Sequence, residues 1–225
     1  MSRPLPPQRP LAIAHRAGND VRLLREAERL RLDIIEADVW SYRSRLEVRH
    51  LKTMGRLPVL WDRWKLASGW GPRLGLVDLL EAAARESELM LDLKGTVASL
   101  PDAVMEALQV RPGVGVTVCS QSWTLLKPFE ALQQATVIYS IGNRRQLQEL
   151  LARPPSADGF SIHRRLLNAP VVASLKQIAP AVITWPVASE AEAHTLAAIG
   201  VDGVISTNLP MLGRLVAERE GKRPE

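Results

Sequence analysis

Strand-like and helix-like segments alternate along this chain from residue 11 to residue 218, and this alternation constrains the fold more than any other feature. Short apolar runs predict eight strands, at residues 11–14, 33–39, 89–93, 115–119, 136–141, 159–162, 182–187 and 202–205. Helical spacing of apolar residues predicts helices between them, at residues 20–32, 77–86, 100–110, 123–133, 144–152, 169–178, 190–199 and 211–218. Continuous apolar runs are typical of parallel strands covered on both faces. Eight strands that are each followed by a helix favour a closed (β/α)8 TIM barrel over an open sheet.

The length of the chain fits one domain. A TIM barrel is typically built from about 250 residues and needs roughly 200. This chain has 225 residues, of which 46% are hydrophobic. We therefore predict one barrel domain over residues 11–219, with a proline-rich arm before it over residues 1–10 and a charged tail after it over residues 220–225.

The connection after the second predicted strand, residues 40–73, is long for a single strand-to-helix loop. Long loops at this end of the strands form the mouth of the active site in barrel enzymes. This loop contains His50 and the tryptophans Trp40, Trp61, Trp64 and Trp70. Two interpretations of the tryptophans stay open: an apolar wall for an alcohol or lipid leaving group, or a small core of the loop itself.

Composition and the N-terminal segment narrow the partners and the location that we expect. The net charge is +5, mainly from arginine, but the basic residues are scattered, so we do not expect nucleic-acid binding. The single cysteine, Cys119, cannot form an intrachain disulfide and is predicted to be buried. Residues 1–10 lack the apolar stretch of a secretory signal, and no apolar run is as long as a membrane span. We therefore expect a cytoplasmic protein without integral membrane association.

Three carboxylates fall on two neighbouring predicted strands, near the ends where barrel enzymes place their catalytic groups. Glu36 and Asp38 are two residues apart in an apolar strand, so both face the same way. Asp92 lies near the end of the next strand. Like charges this close need compensation, and carboxylate oxygens favour a hard cation such as Mg²⁺ or Ca²⁺. The alternative is a buried cluster that is paired with Arg16 and Lys94 and holds no metal.

Two cations and two histidines complete the candidate site. Arg16 follows the first strand and Lys94 the third, and both side chains are suited to contact phosphate oxygens. His15 and His50 are the candidate acid–base groups, because imidazole titrates near neutral pH. The sequence leaves open which histidine gives a proton and which takes one.

His163 and Trp185 are candidates for lining a pocket. Each is predicted at or near the end of a strand, which places it on the rim of the barrel that carries the active site. Packing of the rim, without any role in binding, is the alternative for both residues.

Several short segments resemble, in order and spacing, the motifs of the glycerophosphodiester phosphodiesterase family. The segments are His15-Arg16, Glu36-x-Asp38, His50, Asp92-x-Lys94, residues 118–120, residues 183–187 and the closing strand at residues 200–207. The resemblance extends over roughly residues 11–210.

The resemblance implies metal-dependent hydrolysis of a glycerophosphodiester to glycerol phosphate and an alcohol, a reaction of lipid and glycerol metabolism. It also implies a role for each of seven residues. Glu36, Asp38 and Asp92 would hold Mg²⁺ or Ca²⁺, His15 and His50 would act as general acid and base, and Arg16 and Lys94 would bind the phosphate. The substrate would be a small-molecule or lysolipid phosphodiester.

The chain departs from the family pattern at four places. Ala17 precedes Gly18 where the family has glycine directly after its His-Arg pair, and the Pro-Glu-Asn-Thr element is missing. His50 is followed by Leu51 instead of aspartate. Asp92 stands where glutamate is usual, and the similar sphingomyelinase D branch also has aspartate at this place. Two alternatives therefore stay open: cleavage of a lipid phosphodiester like that of lysophospholipase D or sphingomyelinase D, and a non-catalytic barrel that binds a phosphodiester.

Overall fold

The computed structural model describes residues 10–43, 45–53, 59–62, 65–68 and 73–221. Most of the predicted arm (residues 1–9), the end of the predicted tail (residues 222–225) and the tryptophans Trp64 and Trp70 lie outside the described residues. The described residues form thirteen strands, which are β1 (Leu11–Ala14), β2 (Ile34–Tyr42), β3 (Arg45–Val48), β4 (Lys52–Thr53), β5 (Val59–Asp62), β6 (Lys65–Ser68), β7 (Leu74–Gly75), β8 (Leu89–Lys94), β9 (Val116–Ser120), β10 (Ala135–Ile141), β11 (Gly159–His163), β12 (Ala181–Trp185) and β13 (Gly203–Ser206).

Eight of these strands form a closed parallel barrel, in the order β1-β2-β8-β9-β10-β11-β12-β13. The strand β1 closes the barrel because it pairs in parallel with both β2 and β13. Its last residue, Ala14, lies opposite Ile35 on one side and Ser206 on the other. The predicted (β/α)8 barrel is thereby confirmed, and the eight predicted strands are these eight, with ends that differ by up to three residues.

The α-helices of the described residues are α1 (Val21–Arg29), α2 (Leu76–Ala82), α3 (Leu100–Ala107), α4 (Arg144–Ala152), α5 (Ala169–Lys176), α6 (Glu190–Ala198) and α7 (Leu209–Arg219). Six of them follow a barrel strand, α2 follows β7, and all of them pack apolar side chains into the core outside the barrel strands. Five of them begin after a side chain that accepts a backbone N–H of the first turn, namely Asp20, Asn143, Asn168, Ser189 and Asn208. Such a cap pairs an N–H that the helix itself leaves free. None of the helices in the described part of the chain is long and apolar enough to span a membrane.

The predicted helix at residues 123–133 was wrong. Two short 3-10 helices, Trp123–Leu125 and Lys127–Phe129, stand there instead. Pro128 explains the difference, because proline has no N–H for an interior helical bond and disfavours the α conformation of the residue before it.

The long connection after β2 contains strands that the sequence did not predict. The strand β2 continues past the barrel to Tyr42, and β3 returns beside it in an antiparallel pair that β7 extends. The strands β4, β5 and β6 form a separate antiparallel sheet, which we call the extension sheet. The described part of this connection is therefore ordered by strand pairing.

An apolar layer fills the barrel below the ends where the candidate residues lie. One side chain from each of seven barrel strands contributes to it: Ile13, Ile34, Met90, Cys119, Ile138, Ile183 and Ile205. Glu36 and Asp92 come two residues after Ile34 and Met90, so they point to the same interior, one layer closer to the strand ends. This buried apolar layer lies beneath the candidate site. The predicted burial of Cys119, which is 4% exposed, is confirmed.

Candidate active site

The three predicted carboxylates meet at the carboxyl ends of β2 and β8. The parallel register of these strands sets Asp38 opposite Asp92. Glu36, Asp38 and Asp92 each have a carboxylate oxygen that lies within 4.8 Å of such an oxygen of the other two. Glu36 and Asp38 are 3% and 0% exposed, so water solvates neither charge well.

These carboxylates suit a divalent cation. Two oxygens that bind one Mg²⁺ or Ca²⁺ lie at most about 4–5 Å apart, because each bond is roughly 2.1–2.5 Å long. The separation within the cluster fits that limit. The donors are all hard carboxylate oxygens, which is the ligand type that these ions prefer.

The raised pKa values of Glu36 and Asp92 indicate that the neighbouring cations do not fully stabilise the ionised forms of these two carboxyl groups. Burial raises the pKa of Glu36 well above its usual value, and the adjacent Asp38 carboxylate raises it further. Burial also raises the pKa of Asp92, although the Lys94 ammonium opposes this. Burial acts in the same direction on Asp38, but hydrogen bonds from His50 and Lys94 outweigh it and hold the pKa of Asp38 below its usual value. A bound cation would stabilise the ionised form of all three groups.

Asn19 orients Asp38 through two hydrogen bonds. The Asn19 side-chain amide donates to Asp38 Oδ2 at 2.8 Å, and its carbonyl oxygen accepts the backbone N–H of Asp38 at 2.9 Å. The sequence interpretation assigned no role to Asn19. Asparagine just before the N-cap Asp20 was a weak signal, because such residues usually bond to their own turn.

A tight turn after β1 holds Arg16 against the acidic strand. Arg16 has φ = 59°, in the left-handed region, and its backbone N–H donates to Glu36 Oε2 at 2.5 Å. The Arg16 side-chain Nε lies 3.7 Å from Asp38 Oδ2 and is buried without a hydrogen bond among the described residues. Gly18 makes the close approach possible, because a Cβ at this position would lie 2.7 Å from the Ala37 Cβ.

Lys94 lies inside the acidic cluster. Its ammonium is 2.8 Å from Asp38 Oδ1 and also contacts Asp92 Oδ2. These carboxylates raise the pKa of Lys94 although burial acts to lower it, so the side chain carries a positive charge at neutral pH. The Lys94 ammonium is therefore a positive charge beside the carboxylates, where the sequence predicts a contact with phosphate.

His15 follows β1 and is brought to the same group of residues. Its Nε2 lies 4.0 Å from Glu36 Oε2. Burial lowers the pKa of His15 to about 4, and the Arg16 guanidinium contributes to this. The ring is consequently neutral at pH 7 and is able to accept a proton.

His50 lies between two carboxylates that come from different parts of the fold. Its Nδ1 is 3.4 Å from Asp38 Oδ2, and its Nε2 is 3.2 Å from Asp62 Oδ2. The sequence left the partner of His50 open, because Leu51 follows His50 where aspartate is usual, and it did not identify Asp62. Asp62 is twelve residues away along the chain and is brought near only by the pairing of β4 with β5.

His163 and Trp185 are brought together, at the ends of β11 and β12. Their ring centroids are 4.8 Å apart in an edge-on arrangement. The His163 side chain, together with Arg164, Arg165 and Glu192, lines a surface cavity of about 540 Å³. Trp185 is not among the residues that line this cavity. The two rings are therefore in contact, and their role in binding stays a prediction.

Comparison with known proteins gives matches among solved structures. No protein-family model and no curated protein sequence matches the chain. A Silicibacter pomeroyi protein assigned as a glycerophosphoryl diester phosphodiesterase has a TM-score of 0.77 at 14% identity, over 95% of both chains. An Oleispira antarctica phosphodiesterase, solved with the product sn-glycerol-3-phosphate, has a TM-score of 0.72 at 18% identity, over 94% of this chain and 97% of that one. A Parabacteroides distasonis glycerophosphodiester phosphodiesterase has a TM-score of 0.72 at 19% identity, over 96% of this chain and 100% of that one.

Identities of this size support a statement about the fold alone, and fold does not by itself imply function. The matches extend over nearly the full length of both partners, which agrees with the span of the motif resemblance. The chain therefore has the (β/α)8-barrel fold of the solved glycerophosphodiester phosphodiesterases.

Proposed function

We propose that this chain is a phosphoric diester hydrolase that cleaves a glycerophosphodiester into glycerol phosphate and an alcohol. The observation that carries the proposal is the meeting of three carboxylates, two histidines and two cations at one end of the barrel. It is supported by the fold of the matched structures, one of which holds sn-glycerol-3-phosphate as its product. The proposed substrate is a small-molecule phosphodiester.

The residues divide into three roles in this proposal. Glu36, Asp38 and Asp92 hold a divalent ion, Mg²⁺ or Ca²⁺, which when bound polarises phosphoryl oxygens and stabilises developing negative charge. Arg16 and Lys94 bind the anionic oxygens of the phosphodiester. The buried Arg16 Nε supports this role, because a hydrogen bond to phosphate would give it a partner.

His15 and His50 move the protons. One imidazole takes the proton of the attacking water as its oxygen bonds to phosphorus. The other imidazole gives a proton to the alcohol oxygen as the phosphorus–oxygen bond of the leaving group breaks. Both rings lie beside the acidic cluster, within 4.0 Å of Glu36 or Asp38. This supports the role, because a general acid or base must lie within hydrogen-bond reach of the reacting groups.

The test is hydrolysis of glycerophosphocholine and bis(p-nitrophenyl) phosphate with Mg²⁺, with Ca²⁺ and with EDTA. We expect turnover with a metal, none with EDTA, and a loss of at least about 100-fold in His15→Ala and in Glu36→Ala, since acid–base catalysis contributes about 10²–10⁴-fold. Gln133→Ala, which removes an exposed amide outside the site, is the control and should keep full activity. Metal-independent turnover, or equal activity in His15→Ala, would contradict the mechanism.

A second candidate function is cleavage of a lipid phosphodiester. It is favoured by two exposed apolar side chains of the extension sheet, Trp61 (39% exposed) and Leu66 (73% exposed), which are cross-strand neighbours. Both belong to the sheet that also carries Asp62, which contacts His50. Turnover of lysophosphatidylcholine at a higher kcat/KM than glycerophosphocholine would favour this function. No turnover of either substrate would leave a phosphodiester-binding barrel without catalysis.

A further inference from the structure

His50 lacks a carboxylate partner close by in the sequence that follows it. Leu51 and Lys52 come next, and neither side chain can accept a hydrogen bond from an imidazole N–H. A histidine that acts on a substrate needs a group that fixes the orientation of its ring. The structure supplies two carboxylates at its two ring nitrogens, Asp38 from the barrel and Asp62 from the extension sheet.

Strand register explains how Asp62 reaches His50. The strands β4 and β5 pair so that Lys52 lies opposite Trp61 and Thr53 opposite Leu60. If this antiparallel register continues by one residue, Asp62 lies opposite Leu51, next to His50. The pairing of β5 with β6 extends to Asp62, so the backbone of this residue is held by the sheet.

The chemistry of the contact is directional. A carboxylate only accepts hydrogen bonds, so Asp62 Oδ2 binds the ring when Nε2 carries its hydrogen. Asp62 thereby restrains rotation of the ring and keeps the Nδ1 edge turned towards Asp38 and the acidic cluster. The contact with Asp62, at 3.2 Å, is shorter than the 3.4 Å contact of Nδ1 with Asp38, whose oxygens also contact Asn19 and Lys94.

We propose that Asp62 is the positioning residue of His50, and that the extension sheet serves the active site by delivering this carboxylate. The inference rests on the proposed function only for the effect on turnover. The contact itself can be tested on metal-free protein.

The first test is nuclear magnetic resonance of the imidazole groups in ¹⁵N-labelled, metal-free protein. The chain has four histidines, and His50→Gln assigns the signals of His50 by their loss. We expect an Nε2 signal of His50 that shifts in Asp62→Ala, with the signals of His163 and His194 unchanged. Asp102→Asn, an exposed aspartate on α3, is the matched control and should shift no imidazole signal. An unchanged His50 spectrum in Asp62→Ala would overturn the proposal.

The second test is steady-state kinetics with the metal-loaded protein and glycerophosphocholine. We expect Asp62→Ala to lower kcat by about 10–100-fold, because misplacement of a reacting group by about 1 Å costs roughly 100-fold. KM should change by less than about 3-fold, since a positioning residue does not bind substrate. Asp62→Asn keeps an acceptor oxygen and should recover part of the lost kcat, while thermal melting checks that each variant is folded.

The two proposals fail in different ways. Turnover that persists in His50→Gln would contradict the proposed acid–base role, while the imidazole spectra would still decide whether Asp62 holds the ring. A large loss in His50→Gln together with full activity in Asp62→Ala would overturn the positioning role and leave the proposed function standing.

Discussion

At the scale of single residues, Asp38 is the side chain on which the candidate site converges. It is fully buried and receives contacts from Asn19, Lys94 and His50, which come from three different segments. A buried carboxylate is costly unless it is paired. The three partners therefore hold Asp38 ionised and in one orientation.

Asn19→Ala tests this role of Asn19. The substitution removes a donor and an acceptor at Asp38 and leaves its buried backbone N–H unpaired. We expect the free energy of unfolding to fall by about 1–3 kcal/mol, the cost of an unsatisfied buried polar group. Urea denaturation measures the change, and Gln133→Ala should lie within about 0.5 kcal/mol of the wild type. Equal stability of Asn19→Ala and Gln133→Ala would show that Asn19 does not support Asp38.

At the scale of elements, the turn after β1 must approach β2 closely to bring His15 and Arg16 to Glu36. Gly18 is the point of contact, and it occupies a place one residue later than the glycine of the family pattern. The sequence marked this shift as a departure. In the structure Gly18 permits the close approach of the turn to β2.

We expect Gly18→Ala to be destabilising by about 1–3 kcal/mol and to reduce turnover, because its Cβ would lie 2.7 Å from the Ala37 Cβ and 3.2 Å from the Glu36 carbonyl oxygen. Thermal melting and hydrolysis of glycerophosphocholine measure the two effects. Gly115→Ala is the matched control, since its Cβ would meet only the Gln134 carbonyl oxygen at 3.6 Å, an ordinary contact. A Gly18→Ala variant as stable and active as Gly115→Ala would refute the argument.

Glu28 joins α1 to the segment between α2 and β8. Its carboxylate accepts the Ala84 N–H at 2.7 Å, the Ser87 hydroxyl at 3.0 Å and an Arg25 N–H at 2.8 Å. Burial acts to raise the pKa of Glu28, but these hydrogen bonds outweigh it and the pKa in the folded state is lowered. A lowered folded pKa adds stability above the unfolded pKa of roughly 4.3 and loses it as pH falls through the folded value.

We therefore expect Glu28→Gln to be less stable than the wild type by about 1 kcal/mol at pH 7, with the difference shrinking on acidification below about pH 4. Urea denaturation at a series of pH values measures this. Glu106→Gln, at an exposed position on α3, is the control and should show no such trend. A difference that stays constant with pH would mean that the ionised form of Glu28 is not what stabilises the fold.

At the scale of the whole molecule, a partly buried ion pair helps to close the barrel. Asp33, just before β2, accepts two hydrogen bonds from Arg219 of α7, at 2.6 and 2.8 Å, and the Ala12 N–H of β1 at 2.8 Å. The Asp33 and Arg219 side chains are 19% and 23% exposed. These contacts join the first strand, the second strand and the last helix, where the ring of strands closes.

Arg219→Met should lower the free energy of unfolding by about 1–3 kcal/mol, because it leaves a partly buried carboxylate short of its charged donors. The kcat of the folded protein should not change, since the pair contacts none of the candidate site residues. Arg214→Met on the same helix is the control: its pair with Glu190 is 44% and 31% exposed and is expected to contribute at most about 1 kcal/mol. Equal losses of stability in both variants would show that the Asp33–Arg219 pair contributes no more than an exposed ion pair.

Much of the architecture was predictable because local patterns report local structure. Apolar runs and helical spacing identified all eight barrel strands, and the spacing of Glu36 and Asp38 predicted their shared face. The predicted helix at residues 123–133 does not form because Pro128 interrupts the helical hydrogen bonding there. Antiparallel strands within residues 40–73 were missed because short, interrupted segments carry little periodicity.

The sequence by itself determined the barrel and the seven candidate residues of its site. The barrel and six of these residues follow from side-chain periodicity and from the rule that barrel strands bring their ends to one rim, whereas His50 was identified by its place in the loop after the second strand. Only the tertiary structure decided that Asn19 contacts Asp38, that Asp62 contacts His50, that Lys94 pairs with the carboxylates and that Gly18 permits the close approach of the turn. The reason is physical: such partners depend on strand register and on contacts between segments far apart in the chain, and no local pattern of residues encodes those distances.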